Sequence, residues 1–118
     1  MALKFENLRM WQMAIDLSAE IDTLTLTFPK REDFVLSPQI RRAADSTALN
    51  IAEGSTGQSN AEFNRFLGIA LRSAIEVISC LYLGQKRKIL NNDDFKIYYD
   101  KTVDIIKSIQ ALRNKLKQ

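Results

Sequence analysis

The sequence contains no histidine. That removes the side chain most often used as a general base and metal ligand near neutral pH, and with it Ser–His and Cys–His nucleophile pairs. Di-iron sites in helical bundles draw on Glu-x-x-His pairs, so that class is excluded as well. The single cysteine, Cys80, has no internal disulfide partner and falls within a helical pattern, which reads as a buried reduced thiol. Four glycines and two prolines in 118 residues leave little material for turns, which favours a few long elements over many short strands. No apolar run approaches the ~18 residues of a membrane span. The start of the chain, MALKFENLRMW, meets Glu6 too early to be the apolar core of a signal peptide. The expectation is a cytoplasmic protein without membrane association, cofactor or metal.

Hydrophobic residues make up 46% and charged residues 26% of the chain, the proportions of an ordinary globular domain. Its length suits one core, so residues 1–118 read as a single domain. The net charge of +3 is uneven, about −2 over residues 1–60 and +5 over 61–118. Such mild basicity permits nucleic-acid binding without requiring it.

Four helical patterns follow one another. Met10, Ala14, Leu17, Ile21, Leu24 and Phe28 form a stripe from about Leu8 to Leu26, ended by Phe28-Pro29. Thr27–Leu36 is expected to be an ordered loop anchored by Phe28 and Phe34. Ser37-Pro38 reads as N-cap and first residue of the second helix, with Ile40, Ala44, Thr47 and Ile51 on one face. Ala43, Ala44, Ala48 and Ala52 allow a neighbour to come close, and Gly54 reads as the C-terminal stop. Ser59 and Glu62 have capping-box spacing for a third helix reaching about Lys88. Asn91 and Asp94 repeat the arrangement, with Leu90 and Phe95 as a hydrophobic staple. The fourth helix keeps a seam of Phe95, Tyr98, Thr102, Ile105, Ile109, Leu112 and Leu116. Short connections make sequential helices antiparallel, giving an all-α, up-down-up-down antiparallel four-helix bundle.

The third helix carries two stripes. One is Phe63, Leu67, Ala70, Ala74, Val77 and Leu81; the other includes Leu71, Ile75, Ile78 and Tyr82. A helix in a monomeric bundle needs one such face, so the second is an expected oligomer interface.

The stretch LNIAEGSTGQSNAEF, Leu49–Phe63, lacks the lysine and the preceding strand of a phosphate loop and reads as a helical hairpin. Asp93-Asp94, in a first helical turn, suits the helix dipole better than a metal. Arg42, Asn50, Glu53 and Glu76 are candidates for a polar network inside or between bundles. No nucleophile–base pair accompanies them, so no enzymatic activity is expected. Lys86, Arg87, Lys88 and Arg113, Lys115, Lys117 cluster at two helix C-termini. Cations suit that end of the dipole, and symmetric assembly would multiply each group into a ring. Aromatics are not interleaved with them, so base stacking is not indicated.

Five segments occur in an order that resembles a known family: FENLRMWQMA (5–14), FP (28–29), QIRRAA (39–44), NIAEG (50–54) and EFNRFLGIA (62–70). Jointly they resemble the bacterial four-helix-bundle family encoded in intervening sequences of large-subunit ribosomal RNA genes. The resemblance extends more distantly to the accessory variability determinant of diversity-generating retroelements. It implies a homopentameric bundle with a role in binding RNA or other nucleic acid, and no enzymatic activity. Where the family often has basic residues after NIAEG, this chain has Gly57 and Gln58, and where it often has Gly-Ser, this chain has Arg72-Ser73. The functional expectation is a homo-oligomeric, non-enzymatic protein binding RNA or DNA through its basic helix ends. Its alternative is a protein–protein interaction scaffold.

Overall fold

The computed structural model describes residues 3–117, so Met1, Ala2 and Gln118 of the expected single domain lie outside the described residues. The chain forms α1 (Arg9–Thr25), α2 (Leu36–Ser55), α3 (Asn60–Lys86) and α4 (Asn92–Leu116), with short 3-10 turns at Lys4–Asn7 and Lys30–Glu32. No strand occurs among the described residues. Cross-helix bonds establish the antiparallel order. Arg41 of α2 donates to Thr25 Oγ1 of α1, Ser46 of α2 pairs with Ser73 of α3, and Arg113 of α4 donates to Asn64 of α3.

The core follows the stripes. Leu17, Ile21, Ile40, Ile51, Leu67, Val77, Leu81, Ile105 and Ile109 are fully buried. Two core threonines satisfy their hydroxyls within their own helices: Thr47 donates to Ala43 O at 2.9 Å and Thr102 to Tyr98 O at 2.7 Å. Local caps are formed as well. Asn91 Oδ1 accepts from the Asp94 amide at 2.7 Å, and Ser59 Oγ accepts from the Glu62 amide at 3.1 Å. At Ser59 the reciprocal carboxylate bond of a full capping box is not made. Ser59→Ala removes the bond that is made, and should lower stability by roughly 0.5–2 kcal/mol in a denaturant titration.

Three local expectations are corrected. The second helix starts at Leu36 with Val35 as its N-cap, so Ser37-Pro38 lies one residue inside the first turn. The reason is Glu32, a buried carboxylate whose Oε1 accepts from the Leu36 amide at 3.3 Å and takes the place of a serine cap. Phe34 does not anchor the α1–α2 loop, because it is 96% exposed while Phe28 is 7% exposed. Gly54 is not a left-handed stop, since α2 continues to Ser55 and no glycine has a positive φ. A Cβ on Gly54 would lie 2.6 Å from Phe66 Cβ of α3, so the missing side chain permits the close crossing of α2 and α3.

The two stripes of α3 have two neighbours within the same chain. The Phe63–Leu81 stripe is buried, and Leu71 and Ile78 pack against the core from the α4 side. Tyr82 meets Phe95 and Tyr99 of α4 edge-on, with ring centroids 4.9 and 6.2 Å away. Much of the second stripe is therefore the α3–α4 seam, while Ile75 and Tyr82 stay 53% and 46% exposed. By length and composition, α3 is apolar enough to cross a membrane, with a mean hydropathy of 1.7 over its best window. In the bundle α3 packs against α2 and α4, with Ile69, Ile75, Tyr82 and Leu83 left part-exposed.

Candidate functional site

The antiparallel order puts the two basic groups at opposite ends of a molecule 44 Å long. Lys86 closes α3, and Arg87 and Lys88 follow it; Lys88 takes φ +60, the left-handed turn that reverses the chain toward α4. Lys86 and Lys88 are exposed and belong to no ion pair among the described residues. Arg87 is engaged differently. Its Nη1 lies 3.0 Å from Glu32 Oε1, with Arg31 Nε 3.8 Å from the other carboxylate oxygen. Glu32 thus joins the α1–α2 loop, the start of α2 and the end of α3. This reading of Glu32 was missed in the sequence, where nothing local links it to a residue 55 positions away.

At the other end Lys115 and Lys117 are exposed, while Arg113 is half-buried in the α3–α4 groove. Arg113 Nε donates to Asn64 Oδ1 at 2.9 Å, and its guanidinium lies 3.3–3.5 Å from the position a Cβ on Gly68 would occupy. Arg65 and Arg72 line the same groove, beside Ile69, Leu71 and Ile75. Arg65 stacks over Phe66, its guanidinium carbon 4.5 Å from the ring centroid. The sequence showed Arg72 only as a departure from the family pattern and gave Arg65 no role of its own. Their seven-residue spacing around Gly68 is the signal that could have found them.

The four residues named as a polar network are not joined in the chain. Asn50 donates to Ser46 O at 2.8 Å and to Ser46 Oγ at 3.0 Å, and Ser46 pairs with Ser73 at 2.9 Å. Arg42, Glu53 and Glu76 are exposed and take no part in those bonds. The network that forms is Asn50–Ser46–Ser73, because the α2–α3 crossing is close enough for short side chains and leaves long ones outside.

The groups that could support covalent or metal chemistry are few. Cys80 is buried, and its thiol is pushed up to about 11 by burial and then by Glu76, against the pull of Arg87. It is a poor nucleophile in that state. Among the described residues no cluster of three His, Cys, Asp or Glu side chains could hold a metal ion. What the surface offers instead is unpaired cationic charge, at two ends and along one groove.

Comparisons agree with the architecture. A protein of the S23 ribosomal protein family from Bacteroides thetaiotaomicron VPI-5482, described as having unknown function, has a crystal structure similar to this chain at TM-score 0.80. The two are 23% identical, the match covering 88% of this chain and 97% of that one, a likeness that speaks for the fold alone. A search of curated proteins finds no match. Neither similarity indicates a catalytic family. The model of the family described as 23S rRNA-intervening sequence protein matches residues 6–111, nearly the whole of the bundle, and the chain belongs to that family.

Proposed function

We propose that the protein is a non-enzymatic, cytoplasmic, self-associating binding protein that engages the phosphates of RNA or DNA. The observation that carries this reading is a pair of exposed cations at each end, Lys86 and Lys88 at one and Lys115 and Lys117 at the other, none of them in an ion pair among the described residues. Arg113 adds charge beside the second group, while Arg87 contributes chiefly to structure through Glu32. Assembly supports the reading, because a ring of copies would multiply each group; a homopentamer is what the family resemblance implies. Tyr82, at 46% exposure and outside the α3–α4 groove, is apolar surface available to such a contact.

A second reading, an interaction scaffold for another protein, is favoured by the α1–α2 loop. Phe34 and Leu26 stand 96% and 81% exposed there, and Val35 is 53% exposed.

Titrating structured RNA and duplex DNA at low and high salt separates the two. The wild type should bind at low salt, and a variant neutralised at Lys86, Lys88, Lys115 and Lys117 should bind several-fold more weakly. No binding at low salt would favour the scaffold, and binding untouched by the four changes would remove the helix ends from the proposal. Sedimentation at micromolar concentration should show an oligomer, and a stable monomer would remove the assembly from the proposal.

A further inference from the structure

The groove between α3 and α4 joins features that the helix-end reading does not use. It has a volume of about 510 Å³ and is lined by Arg65, Arg72 and Arg113 over an aliphatic floor that includes Ile69 and Ile75. None of the three arginines forms an ion pair among the described residues, although Glu62 and Glu76 lie one helical turn away on α3. Unpaired arginines gathered in a concavity raise the local positive potential more than the same charges spread over a convex surface.

Their spacing is regular. Arg65 and Arg72 are seven residues apart, about 10 Å along α3. Arg113 reaches across from α4 and lies against Gly68, close to midway between them. Gly68 makes this possible, since a side chain there would push the guanidinium away from the helix. Asn64 holds that guanidinium by its Nε, and the two terminal nitrogens, which lie against Gly68, have no hydrogen-bond partner among the described residues.

A single phosphate cannot span three cations spread over about 10 Å, whereas a polymer with regularly repeated charges can meet each in turn. The planar, five-donor guanidinium suits phosphate oxygens. The aliphatic floor supplies no hydrogen-bonding group to read a base edge. We infer that Arg65, Arg113 and Arg72 form a ladder that tracks the phosphodiester backbone of a nucleic-acid strand with little base preference. The inference rests on the proposed nucleic-acid function and moves its centre from the helix ends to the groove.

The test uses a fluorescein-labelled RNA strand and a DNA strand of the same sequence, titrated by anisotropy between 50 and 200 mM salt. R65Q and R72Q should each weaken binding several-fold at the lowest salt and make the salt slope shallower by about one. Gly68→Leu leaves the charge unchanged, suits a helix better than glycine, and fills the floor beside Arg113. It should weaken binding comparably, with thermal unfolding confirming an intact bundle. Two results overturn the ladder and leave nucleic-acid binding standing: wild-type binding unaffected by all three variants, or weakening by R65Q and R72Q but not by Gly68→Leu. Variants that alter sedimentation and leave strand affinity unchanged would assign the groove to contact between copies instead. Failure of the wild type to bind either strand at 50 mM salt would end both the ladder and the function on which it rests.

Discussion

Replacing Gly54 with alanine will destabilise the protein, by about 1–3 kcal/mol, through overpacking at the α2–α3 crossing. In an unconstrained helix interior the same change stabilises by about 1 kcal/mol, so the sign itself is diagnostic. The Cβ would sit 2.6 Å from Phe66 Cβ and 3.1 Å from Phe63 Cδ1. The first of these neighbours is fixed to the α3 backbone and cannot rotate away. Relief therefore requires α2 and α3 to separate, and both carry core: Ile51 on one and Leu67 on the other are fully buried. Denaturant midpoints at constant m-value measure the effect. An alanine variant as stable as the wild type would show that the crossing is looser than described.

The second large effect concerns Glu32. Arg87→Met removes its nearest cation and leaves a carboxylate with 6% side-chain exposure facing Arg31 at 3.8 Å. Breaking a fully buried pair costs ~3–5 kcal/mol, but Arg87 is 37% exposed and solvent screens part of the interaction, so a loss of about 2 kcal/mol is expected. The double variant Glu32→Leu, Arg87→Met should recover part of that loss, because no buried charge is then left unpaired. It should not recover everything, since the Leu36 amide loses its acceptor. A single Arg87→Met variant of wild-type stability would mean the pair is only a surface contact. The comparison bears on function too, because neutralising Arg87 in a binding experiment would mix lost charge with lost structure.

The helices were legible because their signals are local. The spacing of Ala14, Leu17, Ile21 and Leu24 depends only on the helical repeat, and the Asn91 cap on a residue three positions away. What stayed hidden depends on neighbours far along the chain. Gly54 near a helix end has the same local signature whether it takes a left-handed turn or admits Phe66, and only the crossing decides. Ser37-Pro38 had every local mark of a helix start, but Glu32 supplies the acceptor earlier. The second stripe of α3 resembled surplus hydrophobicity because a stripe does not say which partner covers it. Phe95 and Tyr99 of α4 cover part of it.

The candidate site divides the same way. Lys86, Lys88, Lys115 and Lys117 could be found as clusters in the sequence, and all four are exposed. Arg65, Arg72 and Arg113 could not be grouped before α4 was placed against α3, since the bond from Arg113 to Asn64 spans 49 residues. Their alignment follows from antiparallel packing: one arginine reaches back across a glycine to lie between two others a double turn apart.

Binding of nucleic-acid phosphates is the central property proposed for the protein, and counterion release is its signature. The most direct measurement is the affinity of the wild-type protein for a structured RNA across a series of salt concentrations. Engagement of several phosphates predicts a straight, steep fall of log affinity with log salt, with a negative slope of about 0.7–0.9 per phosphate contacted and little difference between sequences. No binding at low salt, or an affinity that stays level as salt rises, would contradict it.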